Sequence, residues 1–478
     1  MSVATSAGLL IRNATLRNGR HVDVRIAEGR ICEMGDLGVG DTPIFDAGGG
    51  LLIPGLHDHH MHVAATAAAL ESVRCGPPQV TNAAALRAAL AKPGEKWLRG
   101  IGYHESIAGM IDRHWLDHVE TDRPIRVQHR SGRMWFFNTA GIDALLTAKS
   151  DAAVQLERDA TGFTGRLFDG DAWLRSALGT VIPSFRAIGV LLSRFGITGV
   201  TDMTVSNDRA TAAHFAAEQR SDALPQRVVM AGSHDLAIDT SHNVAPYKIH
   251  LHEAHLPDFD LLVADIQRAH GVRRAVAVHC VTLVELVYTI AALEEAGVMP
   301  GDRIEHASIA TPELVGRIAD LGLAVVTQPN FVYERGEAYL RDLPSADWPH
   351  LYRLRSWRDH GVPLGGGTDA PFGEPDPWAA MAAAVARRTD LGTKIGGDEA
   401  LSADEALDLF LADPHMLSMK RTVAVGAPAD ICLLNQPWAV AKTCLSADLV
   451  AATLIGGKIV YDRVHQSVDQ HRATPVGV

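Results

Sequence analysis

The stretch Leu51 to His62, L-L-I-P-G-L-H-D-H-H-M-H, puts four histidines and an aspartate behind an apolar run broken by Pro54-Gly55. Neutral imidazole is the commonest protein ligand for zinc and similar metals. On a strand, alternate side chains share a face, so His60 and His62 can point into one cavity while Met61 packs the other way. Two imidazoles so placed can grip one ion. A histidine-rich surface loop is the plain alternative, and a lone H-x-H does not choose between them. Four more residues bear on the choice: Lys248, His279, His306 and Asp369 lie in or at the end of the runs YKIHLH, RAVAVH, DRIEH and VPLGGGTD. Singly, each histidine could be a hydrogen-bonded core residue. Six polar residues gathered at strand ends are hard to explain as packing.

The elements that must position them follow from the rhythm of the chain. Between Pro54 and about Asp413, apolar β-rich runs alternate with helical stretches, the mark of parallel strands joined by helices. Strands are expected to end near His62, Met203, Met230, His252, His279, His306, Gln328 and Asp369. Helices are expected over 261–270, 284–296, 312–321 and 354–360, with apolar residues three and four apart, as at Leu283, Leu286, Val287 and Ile290. From Lys248 to His279 is 31 residues, from His279 to His306 is 27, and from His306 to Asp369 is 63. One βαβ unit takes about 30, so these are one, one and two units. Eight such strands close into a distorted (β/α)₈ barrel over 54–414, whose active residues sit at the carboxyl ends of the strands. The gap from Val63 to Phe195 is too long for one crossover. It reads as a subdomain inserted after the first strand, within about 64–190, with a strand at Ile125 to His129 and part helix over 77–90.

Residues 1–53 read as a small β meander turning at Asn18-Gly19 and Glu28-Gly29. A few short strands bury little alone. Asp430 to Leu434 and Leu449 to Tyr461 can complete it, giving a composite β-sandwich domain from 1–53 and 415–465, with 466–478 as a flexible tail. With 478 residues, 47% hydrophobic and 21% charged, the chain can build a sizeable core. A net charge of -12 argues against nucleic acid as a partner. No run approaches the ~20 apolar residues of a membrane span, and Met1 to Asn13 shows no basic leader of a secretion signal. Cys32, Cys75, Cys280, Cys432 and Cys444 are scattered without C-x-x-C spacing, so a reducing cytoplasm is expected, with no disulfide framework or thiolate metal site. A homo-oligomer is compatible with all of this.

Taken together, P-G-L-H-D-H-H-M-H, V-H-C-V-T, R-I-E-H-A-S and G-G-T-D-A-P resemble the metal-binding signatures of the amidohydrolase superfamily. The opening run is similar to the family pattern P-G-x-x-D-x-H-x-H, which makes His60 and His62, and not His57 or His59, the matching pair. T-Q-P-N and D-P-W-A-A-M-A-A-A-V-A-R-R resemble the amidohydrolase family 3 branch, which includes N-substituted formamide deformylase, and G-A-P-A-D-I-C-L-L resembles its return into the β domain. The resemblance runs from about Leu9 to Tyr461. It implies one or two divalent ions, zinc foremost, held by His60, His62, His279, His306 and Asp369, with Lys248 bridging. An ammonium has no lone pair, so that role requires Lys248 to carry a carbon dioxide-derived carbamate. Lys248 stands in Y-K-I-H-L-H-E, where the surroundings depart from the branch. His250 and His252 would share its strand face, and His250 could bind substrate, replace a ligand or lie outside the barrel.

The chemistry expected is hydrolysis of an amide-type C–N bond in a small molecule, with a metal-activated water and Asp369 as base and then acid. Deamination of a heterocycle on the same scaffold is the rival reaction, and a catalytically silent binding protein the rival class. Asp58 and Asp202 are expected to support ligands or turns. Substrate contacts are expected from His104, Arg133, Trp135, His250 and Tyr333. Arg133 stands where the branch usually has histidine.

Overall fold

The computed structural model describes residues 8–77, 79–91, 97–120, 122–148, 155–179, 182–236 and 246–463; the expected tail at 466–478 lies outside them. The chain divides into two compact units, Met1–Val63 with Phe185–Val478, and Ala64–Ser184.

In the first unit all eight expected parallel strands are present. Arg227–Met230, Ile197–Asp202 and Leu56–Met61 form a three-stranded sheet. Tyr247–His250, Val276–Cys280, Arg303–His306, Ala324–Thr327 and Leu364–Gly366 form a five-stranded one in that order. Hydrogen bonds link the two sheets at both ends. Lys248 N donates to Gly232 O (3.0 Å), while Asp369 N donates to His60 O (2.7 Å) and His62 N to Ala370 O (2.8 Å). The second of these junctions depends on Gly367, where a Cβ would stand 2.6 Å from that of His60.

Between strands the helices fall close to their expected places, at Phe259–Gly271, Leu283–Ala296, Pro312–Asp320 and Arg355–Asp359. Leu283–Ala296 starts on a capping box in which Thr282 and Glu285 satisfy each other's backbone N–H, and it buries Leu286, Ile290 and Leu293 on one stripe. One boundary differs. The fourth strand stops at His250, and His252 accepts from Ala254 N to cap the short turn Glu253–His255, so His252 does not share the strand face of Lys248.

Both chain ends build the remaining β structure. Arg30–Gly35, His21–Ala27, Leu9–Thr15 and Ile44–Asp46 make one sheet, and Lys458–Asp462, Val450–Ile455, Ile431–Leu434 and Leu52–Pro54 another. Ile11, Val24 and Ile31 share a buried cluster with Leu52, Ile431 and Leu454. Each such side chain withdrawn from water contributes about 1.5–3 kcal/mol before chain entropy is counted.

The second unit holds a mixed five-stranded sheet, Arg166–Phe168, Met134–Phe137, Ile125–His129, Leu98–Tyr103 and Val73–Arg74, with helices at Ala83–Leu90 and Thr139–Ala148. Leu98–Tyr103 is obscured in the sequence by two glycines. Gly100 is required there, since a Cβ would lie 2.6 Å from Cys75 Sγ. Among the described residues no helix is long and apolar enough to cross a membrane.

Candidate metal centre

The eight strands bring the expected ligand residues to one end of the sheets. His60 Nε2 and His62 Nε2 lie 3.4 and 3.2 Å from Asp369 Oδ1. The His60 ring is 4.6 Å from that of His306, and the His306 ring 4.5 Å from that of His279. Among the described residues, one group of three or more His, Cys, Asp or Glu side chains has its donor atoms within 4.8 Å of one another: His60, His306 and Asp369.

Three of the rings are aimed by a partner on the far nitrogen. His60 Nδ1 donates to Glu305 Oε2 at 2.5 Å, and Glu305 Oε1 in turn accepts from Arg303 Nε at 2.5 Å. His306 Nδ1 donates to Gln328 Oε1 at 2.7 Å, and His62 Nδ1 sits 3.0 Å from Thr204 Oγ1. With Nδ1 engaged, Nε2 is the nitrogen left to face the centre. Burial comes first in pushing the pKa values of His60, His279 and His306 well below the usual imidazole range, and the Lys248 charge adds to it. Neutral imidazole is the ligating form.

Backbone strain accompanies this aim. His306 and Asp369 have φ of 70° and 56°, a conformation that costs about 1–3 kcal/mol at a residue with a Cβ. In regular strand, His306 would face away from Glu305. The left-handed φ turns it to the same side, and Thr327 Oγ1 holds its carbonyl at 2.9 Å.

These residues fit a metal ion on three counts. Four donors 2.0–2.1 Å from one ion in a tetrahedron stand about 3.3 Å apart, close to the 3.2 and 3.4 Å found here. Asp369 Oδ1, though buried, makes no hydrogen bond. Lys248 Nζ is likewise buried without one, and burial lowers its pKa to about 8, which favours the neutral amine that carbamate formation needs.

Sequence reasoning missed the partners. Glu305, Arg303, Gln328 and Thr204 carry the ring orientation, and the available signal was two charges alternating on the strand R-I-E-H, a pattern that apolar packing does not explain. Asp58 holds the junction of the first and eighth strands, accepting from His60 N (3.0 Å), Thr368 N (3.1 Å) and Thr368 Oγ1 (2.5 Å); it orients no imidazole. Asp202 accepts from Val63 N at 2.7 Å and Thr204 N at 3.1 Å, so it sets the residue that meets His62.

The expected substrate contacts are distributed differently. His250 stacks on His279 with centroids 4.3 Å apart and is exposed. Tyr333 is exposed on the helix Asn330–Asp342, directly after the seventh strand. The other three belong to the second unit. His104 caps the helix Glu105–Ala108, and Arg133 forms a two-pronged exposed pair with Asp169 at 2.7 and 2.5 Å. Trp135 is 4% exposed and packs with Phe137, Ile142 and Leu145, so it is core and not the pocket wall expected of it.

The family pattern of the amidohydrolases matches residues 44–461, which include every ligand candidate above. The chain belongs to the amidohydrolase family. It is a metal-dependent hydrolase. This amidohydrolase is 27% identical to an N-substituted formamide deformylase of Arthrobacter pascens over 537 aligned positions, 95% of this chain and 97% of the relative. A metal-dependent hydrolase from Pyrococcus horikoshii shares its fold with a TM-score of 0.73 at 18% identity, covering 92% of this chain and 100% of that one. Atrazine chlorohydrolase from Arthrobacter aurescens, solved with zinc, gives 0.53 at 16% identity over 97% of this chain and 99% of its own.

Proposed function

We propose that this amidohydrolase cleaves an amide-type C–N bond of a small molecule, in a distorted (β/α)₈ barrel closed through the two strand junctions. The observation that carries the reading is the meeting of His60, His306 and Asp369 donor atoms within 4.8 Å, with both ring Nδ1 atoms engaged elsewhere. His60, His62, His279, His306 and Asp369 would hold one or two divalent ions, zinc foremost, and Lys248 would bridge as a carbamate. A bound ion supplies Lewis acidity, enough in general to bring the pKa of a water from ~15.7 toward ~7.

The chain's own residues supply the rest. Asp369 takes the proton of the attacking water and returns it to the leaving nitrogen, one carboxylate acting as base and then acid. Burial raises the Asp369 carboxyl, but positive charge around it outweighs burial and leaves the group below the usual range, so it enters as the anion. Glu305, Gln328 and Thr204 keep the imidazoles from turning. His250 and Tyr333, exposed at the same strand ends, are the substrate contacts we assign. The five cysteines, none of them in a disulfide among the described residues, support a reducing compartment such as the cytoplasm.

A panel of amides, lactams and aminated heterocycles, given to the zinc-loaded protein, tests this. An organic amine and a carboxylate are expected as products. Ammonia released from heterocycles alone would make it a deaminase, and no turnover of any member would remove the hydrolytic reading of the site.

A further inference from the structure

The helix Asn330–Asp342 begins directly after the seventh strand, at the end of the sheets where the ligand residues lie. One turn in, Arg335 lays its guanidinium over the Phe331 ring, 4.2 Å from the centroid, and donates from Nη2 to Phe372 O at 2.5 Å. Phe372 belongs to the turn that follows Asp369: its own N–H folds back to Asp369 O at 2.8 Å, and its ring meets His62 edge-on at 5.6 Å. Arg335 is therefore fixed to the segment that carries the catalytic carboxylate.

Among the described residues no carboxylate forms an ion pair with Arg335; its partners are the Phe372 carbonyl, the Phe331 ring and the Tyr339 hydroxyl one turn on. Burial pushes the neighbouring Glu334 carboxyl up to about 7, so that group only partly offsets the charge. Arg133 is the opposite case, its fork filled by Asp169. A guanidinium has five donors, suited to bidentate carboxylate recognition, and those of Arg335 beyond the Phe372 and Tyr339 contacts meet no carboxylate among the described residues. Beside it Phe372, 58% exposed, and Tyr333, 52% exposed, supply apolar surface for the body of a ligand.

We propose that Arg335 is a specificity-determining residue that receives a carboxylate on the substrate, making the substrate an amide with an anionic end and an apolar body. This rests on the amide-hydrolase reading above but is tested by binding, which does not need turnover. The probes are N-tosylglycine, an anion resistant to hydrolysis, and N-tosylethanolamine, its neutral counterpart, titrated calorimetrically into the zinc-loaded protein. The wild type is expected to bind the anion at least about tenfold more tightly, the ordinary scale of a charge-assisted pair. Arg335→Met is expected to reduce that preference below about threefold, and Arg335→Lys, which keeps the charge but loses the fork, to fall between. A preference that survives Arg335→Met, or one absent from the wild type, overturns the proposal. Should Arg335→Met fail to fold by circular dichroism, Arg335→Lys decides: an undiminished preference again overturns it. Failure of the hydrolase reading looks different, as anion binding that depends on Arg335 in a zinc-loaded protein that cleaves no amide.

Discussion

Replacing Glu305 by glutamine perturbs the centre without touching a ligand. Glu305 is fully buried and serves two donors, His60 Nδ1 and Arg303 Nε, each at 2.5 Å. A carboxylate can accept from both. A glutamine amide has one acceptor oxygen, so its NH₂ must meet one of the donors. If the NH₂ faces His60, Nδ1 has to accept, and the ring proton moves to Nε2, the nitrogen 3.4 Å from Asp369 Oδ1, which cannot ligate while protonated. If it faces Arg303, a guanidinium that is 3% exposed loses its counter-charge. Losing an outer partner of a ligand histidine typically costs about 10–100-fold in metal affinity, or about 1.4–2.7 kcal/mol. Breaking a buried ion pair from one side costs about 3–5 kcal/mol of stability. Glu305→Gln should therefore raise the zinc Kd by about 10–100-fold in chelator competition and lower the denaturation midpoint of the metal-free protein. A variant that holds zinc within threefold of the wild type refutes the role given to Glu305.

Asp369→Asn keeps a ligand oxygen but removes the proton acceptor, so kcat should fall about 10²–10⁴-fold while zinc content, read by elemental analysis, stays near that of the wild type; retained turnover puts the base elsewhere. Lys248→Met should stabilise the metal-free protein. The folded-state pKa of about 8 lies below the ordinary 10.5, so the cost of the buried ammonium, about 3 kcal/mol, is complete below pH 8 and disappears by about pH 10.5, where both states are neutral. Denaturant melts at pH 7 and at pH 10 check this, and a gain independent of pH would contradict it. Gly367→Ala places a Cβ 2.6 Å from that of His60 and should cost about 1–3 kcal/mol through overpacking; an unchanged midpoint would mean that the first and eighth strands do not depend on that approach.

The eight parallel strands and the polar residues that meet at their ends were legible because both are written locally. Apolar runs of strand length end in histidine or aspartate at spacings of one βα unit, as at His279 and His306, and the helix Leu283–Ala296 announces its start with Thr282 and Glu285. The partners on the rings were not legible, because contact between Glu305 and His60 spans 245 positions and nothing local marks it. The end of the fourth strand was misplaced because His252 continues the alternation of Y-K-I-H-L-H while its ring caps the next turn. Trp135 was expected to touch substrate from its place in the run R-S-G-R-M-W-F-F-N, where aromatic rings stand beside two arginines. In the structure Arg133 turns instead to Asp169, and two other arginines, Arg99 and Arg126, lie within 6 Å of the Trp135 centroid (5.8 and 5.6 Å), with the indole in the core. In the sheet of the second unit Leu98–Tyr103 was unseen because it carries Gly100, where Cys75 approaches closely, and Val73–Arg74 and Arg166–Phe168 because they are only two and three residues long.

The most direct test is an anomalous-scattering map of the purified protein at the zinc edge. One or two peaks are predicted within bonding distance of His60, His306 and Asp369, with His62 and His279 completing the set and added density on Lys248 Nζ. A folded, active protein with no peak among these side chains would contradict the account.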